Sequence, residues 1–169
     1  MKTKEAILSR RSIRKFTDSE VSFELLEQIV EAGCSAPSAC NKKPYEIYVV
    51  TNEEILEKLN KSSRFSNMPS KAKIVVCCNL KKALPLGLSD YWIQDASAVV
   101  ENMLIMINEL GLGACWCGLY PQVKPTEKVR EILELDEKIV PMALINLGWP
   151  KEIREPHSGI DEKRVHFIK

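Results

Sequence analysis

The stretch 90–110, DYWIQDASAVVENMLIMINEL, runs directly into Gly111-Leu112-Gly113, and its reading decides the fold. It contains no proline or glycine and is long enough for about six helical turns. Its apolar residues are Trp92, Ile93, Val99, Val100, Met103, Leu104, Ile105, Met106, Ile107 and Leu110. They cover far more than one helical stripe, so protein must surround this helix on most sides. Either it is central in its own domain or it packs against a second subunit. Ser89 is a plausible cap and Gly111 a C-terminal stop, so the spacing predicts a helix over 90–110.

On either side of this helix, short apolar runs read as strands. Ile74-Val75-Val76-Cys77-Cys78 is continuous and predicts a strand buried on both faces. Met142 to Leu147 is a second such run, and Glu46 to Thr51, rich in Tyr, Ile and Val, is a third. Val165 to Ile168 looks like a strand with nothing local to pair with. Helices are expected over Lys4–Ser9, after the cap Ser22, over Glu53–Lys61 and from Pro125 to Leu135. There are too few strand–helix–strand units for a doubly wound sheet. The first strand is followed by no Gly-x-Gly-x-x-Gly turn, and a P-loop is absent. The fold class is therefore α+β, a small sheet covered by helices, in one domain spanning residues 1–169.

Composition excludes several functions. Basic and acidic side chains number 24 and 23, leaving a net charge of +1, so no global field recruits nucleic acid or an acidic membrane. Any anion site must be local. No run is apolar enough to span a bilayer and the first residues lack a signal core, which predicts a cytoplasmic protein. The six cysteines show no pattern of zinc ligands, so no metal is expected and small buried side chains are the reading. Residues 111–120 contain no cation to favour a thiolate, so Cys115 and Cys117 read as packing groups.

Three segments carry chemistry. Arg10-Arg11-Ser12-Ile13-Arg14-Lys15-Phe16 places four cations within six residues, interrupted by apolar anchors that a purely solvated segment does not need. Arginine forks and a serine hydroxyl on extended backbone suit one phosphate ester, although a solvated face is the plainer reading. Ala36-Pro37-Ser38-Ala39-Cys40-Asn41-Lys42-Lys43-Pro44-Tyr45 offers small residues to a flat ligand and the Asn41 amide to its polar groups. By itself it is also an ordinary turn. Gly111 to Gly118, GLGACWCG, follows the long helix and reads as a glycine-bearing loop.

In this order the segments resemble the nitroreductase family. Its members open with Arg-Arg-Ser-x-Arg-x-Phe, continue through a proline-serine loop ending in Asn-x-Gln-Pro-Trp, and follow a long helix with Gly-Leu-Gly-Thr-Cys-Trp-x-Gly. Gly148-Trp149-Pro150 and Arg164-Val165-His166 fit the family's closing motifs, so the likeness runs from about Ala6 to Phe167. It implies a small, mostly antiparallel sheet and an intertwined homodimer whose C-terminal strand is exchanged. FMN would lie at the interface. Arg10, Ser12, Arg14 and Arg164 would hold its phosphate, with Arg11 nearby. Pro37, Ser38 and Asn41 would line the flavin and ribityl chain, and Trp116, Cys117 and Gly118 the ring. NADH or NADPH would reduce the flavin, and a nitroaromatic, quinone or similar acceptor would reoxidise it. The flavin carries the chemistry, so no catalytic side chain is expected.

The chain departs from the family pattern at four points: Lys43 for glutamine, Tyr45 for tryptophan, Ala114 for threonine, and Cys117 where an aliphatic residue is common. Other readings are a non-catalytic or redox-sensing FMN protein, or a family member with a different outlet such as reductive dehalogenation.

Overall fold

A computed structural model of the chain describes residues 2–85, 90–157 and 159–169. In chain order its elements are α1 (Thr3–Ser9), α2 (Phe23–Cys34), β1 (Tyr45–Val50), α3 (Glu53–Asn60), β2 (Ala72–Asn79), α4 (Tyr91–Glu109), β3 (Gly113–Gly118), α5 (Val123–Ile132) and β4 (Ile139–Gly148). The four strands form one antiparallel sheet in the order β1-β2-β4-β3, so the class is α+β as expected. None of the described helices is long and apolar enough to cross a membrane.

The continuous apolar run of β2 is explained by what lies on its two sides. Ile74, Val76 and Cys78 face a core shared with α2 and α4. Val75 and Cys77 face a second core with Leu56 and Leu59 of α3 and Val129 of α5. All five residues from Ile74 to Cys78 are fully buried, so strict polar–apolar alternation has no place here.

α4 settles the question raised by its composition. Trp92, Ala96, Val99, Val100, Met103, Leu104 and Ile107 are buried within the single chain, and the helix packs on α1, α2 and the sheet. Gly111 ends the chain's turn out of α4 with φ +76°, the left-handed region that a side chain disfavours. Ser89 lies outside the described residues. The residue before the helix, Asp90, makes no side-chain capping bond. Ser22 does cap α2, accepting from Leu25 N at 3.4 Å.

Four expectations change. Gly113–Gly118 is a strand, not a loop, because its backbone completes the edge of the sheet beside β4. α5 begins at Val123 rather than Pro125. A proline in the first turn removes only an N–H with no helical partner, so it need not come first. Val165–Ile168 forms no strand in the single chain, where no described strand pairs with it. Cys34 and Cys40 are exposed, and only Cys77, Cys78, Cys115 and Cys117 are buried.

Candidate functional site

Three of the motif segments come together at one edge of the sheet. Ser12 bridges Ala114 of β3 in parallel, and Ile13 N donates to Ala114 O at 2.8 Å. Phe16 bridges Pro150, Thr17 N donates to Trp149 O at 2.9 Å, and Lys151 N donates to Lys15 O at 2.9 Å. The arginine segment is therefore an irregular strip held by β3 along one part and by the continuation of β4 along another. The apolar interruptions now have a reason: Ile13 is buried over Gly113, and Phe16 lies against Gly148.

Gly113 is glycine because of that contact. A Cβ there would stand 2.8 Å from Ile13 Cβ and Cγ2. Gly113→Ala should therefore lower stability by about 1–3 kcal/mol through overpacking, as read by urea unfolding. A variant as stable as the parent would show that Ile13 does not anchor the segment.

The cations of the segment take separate partners in the single chain. Arg10 Nε pairs with Glu101 Oε1 of α4 at 3.4 Å. Arg11 donates to the Glu155 carbonyl at 2.7 Å. Arg14 uses its backbone N–H to donate to Glu152 Oε1 at 2.7 Å, and its guanidinium lies by Cys115. The half-buried Ser12 hydroxyl has no hydrogen-bond partner among the described residues. Arg164 is apart from them, 85% exposed and paired with Asp161 at 3.1 Å.

The proline loop is built separately. Its turn, Ala39–Asn41, puts Cys40 at φ +50° and Asn41 at φ +53°, and Lys43 follows at φ +45°. Asparagine tolerates this region, whereas Cys40 and Lys43 each cost about 1 kcal/mol or more to hold there. Two contacts compensate: the buried Asp95 of α4 accepts from Ala39 N at 2.7 Å, and Ser38 Oγ accepts from Lys43 N at 2.9 Å. Tyr45, the replacement for tryptophan, donates its hydroxyl to Cys34 O at 3.0 Å. Asn41 and Pro37 are exposed. No described hydrogen bond, ion pair or bridge joins this loop to the arginine segment.

Strand β3 carries the third group. Trp116 is half-buried towards α4. Gly118 has open space where a Cβ would stand, which leaves the strand's end accessible to a flat ligand. Cys115 and Cys117 point to the other face and are buried. Cations reach these thiols from outside residues 111–120. Arg14 and Arg154 lie near Cys115, and Lys73 lies near Cys117. Sequence reasoning named Arg14 only for the phosphate and missed Arg154, Lys73 and Asp95, because their proximity to the site exists only in the folded chain.

Arg10, Arg11, Arg14 and Ser12 lie on one short segment and are donors of the kind a phosphate ester takes, although in the single chain the three guanidinium groups have separate partners. The cavity beside Arg10, Arg11 and Leu112 measures only about 10 Å³, far less than the several hundred Å³ of a typical cofactor pocket. The donors fit such a group, but one chain does not enclose it.

Comparisons with known proteins agree with this fold. A family model described as the nitroreductase family matches residues 7–76 and 68–149. A Methanothermobacter thermautotrophicus protein, provisionally named NADH dehydrogenase/NAD(P)H nitroreductase, is 37% identical over 169 residues, covering 98% of this chain and 86% of its own. An FMN-dependent nitroreductase from Clostridium difficile superposes with a TM-score of 0.89 at 29% identity, covering 98% of this chain and 99% of its own. A Desulfovibrio desulfuricans protein, described provisionally as a nitroreductase and solved in complex with FMN, gives a TM-score of 0.84 at 27% identity, covering 100% and 98% of the two chains.

Proposed function

The chain belongs to the nitroreductase family, and from that premise we propose how it works: as an FMN-dependent NAD(P)H oxidoreductase, a homodimer that reduces a nitroaromatic, quinone or similar acceptor. The observation that carries this reading is the meeting of Arg10–Phe16, β3 and Trp149–Pro150 at one sheet edge.

FMN, when bound, supplies a centre that takes a hydride from NADH or NADPH and passes it to the acceptor. The chain's own residues bind and orient it. Arg10, Ser12 and Arg14 hold the phosphate, with Arg11 beside them. Charge-assisted bonds from planar guanidinium groups fix both position and angle. Trp116, Cys117 and Gly118 border the ring. Pro37, Ser38, Asn41 and Arg164 complete the site across the dimer interface, in keeping with their separation from the arginine segment in a single chain.

The tail argues for the second copy. Ile153 is 97% exposed, Phe167 77% and Ile168 98%, a density of bare apolar side chains that calls for a covering partner. The exposed edge of β1 offers unpaired backbone groups to the apolar run Val165–Ile168 of a partner.

Steady-state kinetics test the activity. Both substrates meet the same bound group in turn, so initial rates with NAD(P)H and a simple quinone should give parallel double-reciprocal lines. Intersecting lines, or no turnover with any acceptor of this class, would contradict the reading.

A further inference from the structure

Residues 61–71, between α3 and β2, form neither helix nor strand, yet the segment is firmly tied. Ser62 and Ser66 are buried, their hydroxyls share a hydrogen bond at 3.2 Å, and Ser66 Oγ accepts from Ser63 N at 2.9 Å. Two further bonds fasten this loop to the sheet. Lys73, fully buried in β2 and in register with Asn146 of β4, donates from Nζ to Met68 O at 3.1 Å. Cys117 of β3 donates its thiol to Phe65 O at 3.0 Å. Lys73 Nζ also donates to Asn146 Oδ1, and Asn146 Nδ2 donates to Cys117 Sγ at 3.3 Å. The sulfur accepts on one side and donates on the other, which an aliphatic side chain at this position could not do.

The exposed part of the loop carries Arg64 and Phe65. Phe65 is 60% exposed, and the Arg64 guanidinium carbon stands 5.9 Å from the centroid of its ring. A cation over an aromatic face is a favourable pairing. Lys61 and Lys71, at the two ends of the loop, pair with Glu57 and Glu53. Arg64 makes no ion pair among the described residues. A large ring and an unneutralised guanidinium are thus held in solvent on a loop bonded to β3. That strand ends at Gly118, which has open space where a Cβ would stand.

We propose that Arg64 and Phe65 bind the nicotinamide nucleotide that reduces the flavin, Phe65 lying against one of its flat rings and Arg64 meeting its pyrophosphate. The inference rests on the proposed function for the flavin bordering Trp116 to Gly118. The class of ligand follows from the pair itself. An aromatic face takes a flat ring, and a guanidinium without a counter-charge takes a phosphate. Of the two substrates, only the reductant always carries both, because a simple quinone or nitroaromatic has the ring without the charge. Cys117 is a positioning residue, which holds the loop through the Phe65 carbonyl.

The test is a calorimetric titration of the flavin-loaded protein with tetrahydro-NADH, an analogue of the reductant that gives up no hydride. Both ties to the loop end on backbone carbonyls, so truncating either exposed side chain should leave the loop in place. The Kd should rise about fivefold in Arg64→Ala and about tenfold in Phe65→Ala. Arg64→Lys should recover part of the loss. Added salt should weaken binding less in Arg64→Ala than in the unmodified protein, because one screened contact is gone. A Kd unmoved in either variant, or no binding by the unmodified protein, would overturn the proposal. Bleaching of the flavin by NADH or NADPH is read separately from absorbance. Analogue binding that depends on both residues, in a protein whose flavin neither nucleotide bleaches, would sink the proposed activity and leave this contact standing. Bleaching with an unmoved Kd would do the reverse.

Discussion

Replacing Arg14 by alanine is expected to weaken FMN binding by about one to two orders of magnitude while leaving riboflavin binding little changed. The difference between the two ligands is the phosphate. A charge-assisted hydrogen bond contributes roughly 1.5–3 kcal/mol, and 1.4 kcal/mol is about a factor of ten. Arg14 is exposed and its backbone, not its side chain, makes the bond to Glu152, so truncation should leave the segment in place. Dialysis against buffer followed by flavin quantification reads the result. An Arg14→Ala protein that retains FMN as tightly as the parent would remove Arg14 from the phosphate site.

The larger effect belongs to the tail. Removal of residues 164–169 should dissociate the dimer and strip the flavin together. Val165, Phe167 and Ile168 are 40%, 77% and 98% exposed in the single chain, and burying three such side chains is worth roughly 5–9 kcal/mol before ordering costs. A dimer weakened by a hundredfold or more is the expected outcome. The buried cores include no residue beyond Leu147, so the shortened chain should keep its fold. Sedimentation velocity and the flavin-to-protein ratio measure both consequences. A truncated chain that remains a flavin-loaded dimer would contradict the assignment of the tail to the interface.

Much of the fold was legible because hydrophobic pattern reports burial directly. Ile74–Cys78 could only be a strand with protein on both faces, and 90–110 could only be a helix with protein nearly all round. The pattern did not say which protein surrounds that helix. The single chain buries most of it, so its composition no longer argues for a dimer, and that argument passes to the exposed tail. β3 was hidden because GLGACWCG has the small residues of a turn. It is a strand through its bonds to β4, which no local pattern reports.

The candidate site divides in the same way. The arginine segment, the proline loop and the glycine motif stand out by residue type, and their order carried the family resemblance. Lys73 does not stand out: a lysine beside an apolar run reads as a solvated strand end, yet its register with Asn146 puts it wholly inside. Asp95 is equally silent within α4, where only the folded loop shows that it accepts the Ala39 N–H. Such partners lie tens of residues apart in sequence, and the topology alone brings them together.

The most direct measurement is the visible absorbance of freshly purified protein, followed under anaerobic addition of NADH or NADPH. Flavin bands that bleach with either nucleotide and return when a quinone is added are the result predicted for an FMN-dependent oxidoreductase. Protein that carries no flavin and takes up none when FMN is supplied, or bound flavin that neither nucleotide reduces, would contradict it.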